Sequence, residues 1–179
     1  MAERIDRQVT GRATPCTCSS TGSGGSYRDR RVELFERFGG PEVGALARRR
    51  FLEVQGHPDQ ASLEAWRRLA IPLYTRIPRD PDMASRAVNR LEVLQCFTKP
   101  GGESHTFNMF PELGRIQCPT LVLGGEDDPI HPIESQADIA AALPAHLVRF
   151  ERFDNCRHAV VTDAPERAIA SIRDFITYR

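Results

Sequence analysis

Three observations predict an α/β fold. Pro119-Thr120-Leu121-Val122-Leu123-Gly124 is a short continuous apolar run, the signature of a strand buried on both faces. Leu147 to Phe153 reads as the next strand, and each run is followed by residues with helical apolar spacing. The order strand, helix, strand, helix implies right-handed crossovers and a parallel sheet.

Taken in order, residues 1–30 are poor in apolar side chains and rich in Ser, Thr, Gly and Arg, and Thr21-Gly22-Ser23-Gly24-Gly25-Ser26 has connector composition. A short strand is expected there near Pro15 to Ser20. Val32, Leu34, Phe35 and Phe38 give a helix face stopped by Gly39-Gly40. Pro41 opens the next turn, and Val43, Leu46, Ala47, Phe51 and Leu52 continue the spacing. Ala61 to Ala70 is a further helix with Ser62 as its cap, and Met83 to Leu94 another, ended by Lys99-Pro100-Gly101-Gly102. After the first strand, Ile133, Ala137, Ile139, Ala140 and Leu143 form an amphipathic helix ended by Pro144. After the second, Asp163 is expected to cap a helix with Pro165 in its first turn and Ile169, Ile172, Phe175 and Ile176 as its buried stripe. The division expected is 1–30 as a flexible or strand-remnant segment, 31–110 as a helical layer, and 111–179 as the α/β portion.

Composition narrows the function classes. A chain of 179 residues with 40% hydrophobic and 27% charged residues is ordinary for a soluble globular protein. Its formal net charge is zero, so no bulk field favours nucleic acid or an anionic membrane. All but one of its 24 Lys and Arg residues are arginine, the exception being Lys99. No apolar run approaches the roughly 18 residues of a membrane span, and the N-terminus lacks the apolar core of a signal peptide. The five cysteines, Cys16, Cys18, Cys96, Cys118 and Cys156, are odd in number and irregularly spaced. They read as reduced thiols of a cytoplasmic protein. Cys16-Thr17-Cys18 is not a CxxC and no second pair completes a zinc set. No metal and no cofactor are expected.

The chemistry concentrates in two loops. Gly124-Gly125-Glu126-Asp127-Asp128-Pro129-Ile130-His131-Pro132 follows the first strand, and Asp154-Asn155-Cys156-Arg157-His158-Ala159 follows the second. Ligands of open parallel sheets bind beyond the carboxyl ends of the strands, where Asp128 and His158 are placed. An acid and then a histidine, each after a strand, is the order of the tail half of a hydrolase triad. A loop aspartate capping the next helix, and a loop histidine without a role, are the readings against which this one is weighed. Cys156 as a nucleophile is disfavoured, because two residues on one loop do not set a thiol against its base.

From Leu113 to Arg179 the chain resembles the C-terminal part of an α/β-hydrolase. Gly125-Glu126-Asp127-Asp128-Pro129 with Pro132 resembles that family's acid loop, whose acid lies three residues after the strand-ending glycine, which selects Asp128 over Asp127. Arg157-His158-Ala159 stands where the family usually has Gly-His-Gly or Gly-His-Ala. The helical part, from about Arg31 to Phe110, resembles the cap of proline iminopeptidase-like members through Phe38-Gly39-Gly40-Pro41-Glu42, Pro72-Leu73-Tyr74-Thr75 and Gly101-Gly102-Glu103. The resemblance implies hydrolysis of an amide or ester in a small peptide or other small molecule, with N-terminal-proline peptides the leading class and small esters the alternative. It implies His158 as the base, Asp128 as the acid that orients it, and Glu103 as a partner for a substrate's amino group.

The family's nucleophile elbow, Gly-x-Ser-x-Gly, has no counterpart. Ser26 has Gly24 two residues before it but Arg28 two after, and Ser104 has Gly102 before but Thr106 after. The N-terminal strands of such a sheet are also absent, while Cys16 to Thr21 resembles the strand that precedes the cap. The expectation is a truncated hydrolase, two βα units and a cap, against the alternative of a non-catalytic fragment or interaction module. A half-sheet leaves an unpaired edge, so self-association through that edge is expected.

Overall fold

The apolar spacing around Phe35 builds the first layer. In the computed structural model, which describes residues 27–53, 58–77 and 90–177, helix α1 (Tyr27–Arg48) breaks at Gly40, where φ is 80°. That left-handed backbone suits glycine, and Pro41 restarts the helix where its missing N–H costs nothing. A wider turn, Arg49–Glu53, follows. Helix α2 (Gln60–Ala65) is capped by Asp59, whose carboxylate accepts the Ser62 N–H at 2.7 Å. The cap is thus Asp59 and not Ser62: an N-cap side chain must reach the N–H three residues on, and Ser62 supplies that N–H. Wide and tight turns then cover Trp66–Ala70 and Ile71–Tyr74.

Phe35 is fully buried at the centre of a cluster with Val32, Val43, Ala47, Trp66 and Ala70. Its ring meets Trp66 edge-on at 5.0 Å between centroids. Truncating such a residue to alanine typically costs about 3–5 kcal/mol, so this cluster anchors the helical layer.

Helix α3 (Leu91–Thr98) differs from the expected Met83 to Leu94. Residues 83–89 lie outside the described residues, and the helix runs on past Leu94 until Lys99, whose ψ of 155° is the extended backbone that a following proline enforces. A short helix α4 (Glu103–Thr106) and a tight turn, Phe110–Arg115, complete this part. The strand expected near Pro15 to Ser20, and the pair Cys16 and Cys18, also lie outside the described residues.

The fold class is α/β. Strand β1 (Thr120–Gly125) pairs in parallel with β2 (Val148–Phe153), in register from Thr120 opposite Val148 to Gly125 opposite Phe153. Helix α5 (Ile133–Ala142) makes the crossover, and helices α6 (Val160–Asp163) and α7 (Pro165–Thr177) follow β2. Two corrections belong here. The residues of β1 before Gly124 are half-buried rather than covered on both faces, because among the described residues the sheet has only two strands. The buried side of α7 carries Ala168 and Ser171, while Ile169 and Ile176 are 40% and 62% exposed. A two-stranded sheet is too narrow to cover the wider stripe the sequence offers.

Candidate active site

Two glycines end β1, and at Gly125 the neighbouring backbone leaves no room for a side chain, whereas at Gly124 the neighbours are side-chain ends that can move. A Cβ on Gly124 would stand 2.7 Å from the Gln136 side chain, and one on Gly125 would stand 2.2 Å from the backbone oxygen of Arg157. The two loops therefore approach backbone to backbone. Glu126 N–H donates to Phe153 O at 3.1 Å, and Asp127 N–H donates to Cys156 O at 3.0 Å.

Three residues past Gly125, Asp128 is 3% exposed. Its Oδ1 accepts the backbone N–H groups of Ile130 and His131 at 2.8 and 2.9 Å. Its Oδ2 accepts from Gln136 Nε2 at 3.4 Å and faces His158 Nδ1 at 3.1 Å. Every neighbour is a donor, so the carboxyl acts as an acceptor on both oxygens. Nδ1 of His158 then carries the proton, which leaves Nε2 free to accept one. The His158 side chain keeps 35% of its surface while Asp128 keeps 4%, an arrangement in which a buried acid orients a reachable imidazole. Asp127, the alternative acid, instead pairs with Arg37 at 3.6 Å.

The structure therefore joins Asp128 and His158. It does not join Glu103 to them: Glu103 heads the short helix α4, exposed, with no hydrogen bond or ion pair to either residue among the described contacts. Cys156 is buried beside the histidine loop. Burial, and then the nearby Asp163 carboxylate, push its thiol pKa up, which disfavours the thiolate a nucleophile needs.

Gln136 and Tyr74 stand around the pair with no role expected from the sequence, and His131 and Asp163 join them there. Gln136 is buried on the inner face of α5 and also donates to the His131 carbonyl at 2.7 Å. Its signal was present, a polar side chain at helical spacing between Ile133 and Ala140. His131 stands with its ring 5.4 Å from that of His158. Burial, against an opposing pull from Asp128, drops its pKa to about 4, so it is a neutral imidazole near pH 7. Tyr74, from the helical layer, sets its ring edge-on to His158 at 5.6 Å. Its hydroxyl accepts the Trp66 Nε1–H at 2.9 Å, and burial raises its pKa. Asp163, expected as a helix cap, uses its carboxylate elsewhere: Oδ1 accepts the Arg76 N–H and Oδ2 the Arg157 N–H, both at 2.8 Å.

No protein-family model and no curated protein matches the chain. Among solved structures it is similar to a thermophilic esterase from Thermogutta terrifontis, with TM-score 0.39 and 19% identity over 84% of this chain and 49% of that one. It is likewise similar to MGS-M2, an alpha/beta hydrolase enzyme from a Medee basin deep-sea metagenome library, with TM-score 0.41 and 18% identity over 86% and 50%. The third is Rv0554 from Mycobacterium tuberculosis, with TM-score 0.39 and 21% identity over 84% and 49%. The chain spans about half the length of each of these structures.

Proposed function

We propose that this chain carries the acid and base of a serine-type hydrolase acting on small carboxylic esters. The observation that supports the reading is the Asp128–His158 hydrogen bond of 3.1 Å at the carboxyl ends of two adjacent parallel strands. In that arrangement His158 Nε2 takes the proton of an attacking hydroxyl and returns it to the leaving group. Asp128 holds the tautomer and stabilises the imidazolium that forms. The hydroxyl itself has no Gly-x-Ser-x-Gly elbow among the 179 residues, so in this proposal it comes from outside them, and in the purified chain a water molecule deprotonated by His158 attacks an activated ester in its place. The ester is preferred to the N-terminal-proline amide because Glu103, the one residue offered for a substrate's free amino group, is exposed and has no contact with the pair.

The test is hydrolysis of a p-nitrophenyl ester and of a proline p-nitroanilide by the purified chain, alongside His158→Ala and Asp128→Asn. Ester turnover that falls to background in both variants supports the reading. Equal rates in the wild type and both variants would sink it, and faster turnover of the anilide would move the substrate to the peptide class.

A further inference from the structure

The geometry points to Arg157 and Asp163 as positioning residues that clamp residues 73–76 of the helical layer onto the histidine loop, so that Tyr74 and His158 are seated by one device. Arg157 immediately precedes His158. Its backbone N–H is held by Asp163 Oδ2 at 2.8 Å, and its guanidinium reaches 84 positions back to the Leu73 carbonyl at 3.3 Å and the Thr75 carbonyl at 3.4 Å. The same guanidinium lies over the Phe38 ring at 4.2 Å. Asp163 uses its other oxygen on the Arg76 N–H at 2.8 Å, so one carboxylate bridges the backbones of both segments. Arg76 closes the loop of contacts by donating to Asn155 Oδ1 at 3.0 Å, and Asn155 holds a left-handed backbone with φ 55°. Between the carbonyls that Arg157 grips lies Tyr74, whose ring meets His158 edge-on and whose hydroxyl is tied to Trp66.

Two features make this more than local packing. The clamp replaces the helix cap that Asp163 would otherwise supply. It also joins two tasks in one group, since Nη1 of Arg157 donates to both carbonyls while the guanidinium plane lies over the Phe38 ring. A glycine there leaves the Leu73 and Thr75 carbonyls ungripped. Its kinetic consequence rests on the hydrolase reading, but its spectroscopic consequences do not.

The test uses Arg157→Met, which keeps a long side chain without donors, and Asp163→Asn in the full chain, with cooperative melting as the check that each is folded. The first signal is emission from Trp66, the sole tryptophan, which reports the seat of the helical layer through Tyr74. The second is the low-field proton resonance of the His158 Nδ1–H bonded to Asp128. The clamp predicts a red-shifted Trp66 emission together with a broadened or lost low-field proton in both variants. Where ester turnover is present, a fall in kcat/KM on the order of 10²-fold is expected from misplacing the base. A folded variant that keeps either signal at its wild-type position overturns the proposal, because the two segments would then not be seated together. Loss of both signals with no turnover even in the wild type would keep the clamp and sink only the hydrolase reading.

Discussion

Replacing Asp128 by alanine separates structural from chemical claims about the acid. The carboxylate satisfies two backbone N–H groups, those of Ile130 and His131, and the site is 3% exposed, so water does not readily take its place. Each buried donor left without a partner costs about 1–3 kcal/mol. Two of them suggest a loss of about 3 kcal/mol. For a domain of this size each kcal/mol lowers the melting midpoint by roughly 2–4 °C, so a fall of about 6–12 °C is expected in a thermal melt followed by circular dichroism. Asp128→Asn should lose less, because its amide oxygen can keep both backbone N–H groups. It then presents an NH2 toward Gln136 Nε2 and His158 Nδ1, where both neighbours are donors. His158 must turn to its other tautomer to be accommodated, and Nε2 becomes protonated, so under the proposed function it no longer accepts a proton. In well-studied triads that change costs on the order of 10⁴ in rate. An Asp128→Ala protein melting within about 2 °C of wild type would refute the claim that this carboxylate organises its loop, since even one orphaned donor costs about 1 kcal/mol.

The remaining predictions follow from the same site. His131 has its pKa lowered by burial to about 4, so the unfolded chain binds more protons between that value and the ordinary 6.5. Its contribution to stability is therefore complete above about pH 6.5 and lost as pH falls toward 4. His131→Asn should flatten the fall in denaturation midpoint across that window, and an unchanged slope would reject the assignment. Gly125→Ala should lower the melting midpoint and abolish the His158 low-field proton, because the new Cβ meets the Arg157 and Cys156 backbone oxygens at 2.2 and 2.5 Å. Gly114→Ala, whose Cβ would lie 3.8 Å from its nearest neighbour, should retain both and serves as the control. Iodoacetamide at neutral pH should label Cys96 and Cys118, which are exposed, well before buried Cys156. Equal labelling of all three, read by peptide mass spectrometry, would contradict the raised thiol pKa.

The α/β class and the pairing of Asp128 with His158 were legible because both depend on local pattern. Apolar runs of strand length followed by helical spacing fix the order of elements. A ligand position beyond the strand ends then follows from the parallel topology. What stayed hidden depends on contacts between residues far apart in sequence. Asp163 looked like a helix cap because Pro165 follows it, and only the fold shows that its carboxylate is taken by Arg76, 87 positions away. Tyr74 read only as part of the cap-like segment Pro72 to Thr75, and nothing local places its ring against His158. The exposure of Ile169 and Ile176 was missed for a different reason. Periodicity gives the width of an apolar stripe but not the width of the surface available to cover it.

The parallel register explains why so few residues suffice to build the pair. Gly125 and Phe153 end their strands at the same level, so both loops leave the sheet side by side. Because successive strand residues alternate faces, a slip of one residue would turn every side chain to the opposite side. The close approach at Gly125 opposes such a slip, since any side chain there collides with the histidine loop. The donors on Asp128 come from its own loop, from α5 and from His158, all within residues 128–158. The Tyr74 side of the site depends on the helical layer, through Arg157 and Asp163. The Asp128 contacts thus come from two βα units alone, while the seat of His158 also involves residues 73–76 through Arg157 and Asp163. Perturbing the clamp should therefore loosen His158 from Asp128 while leaving the Ile130 and His131 N–H groups on Asp128.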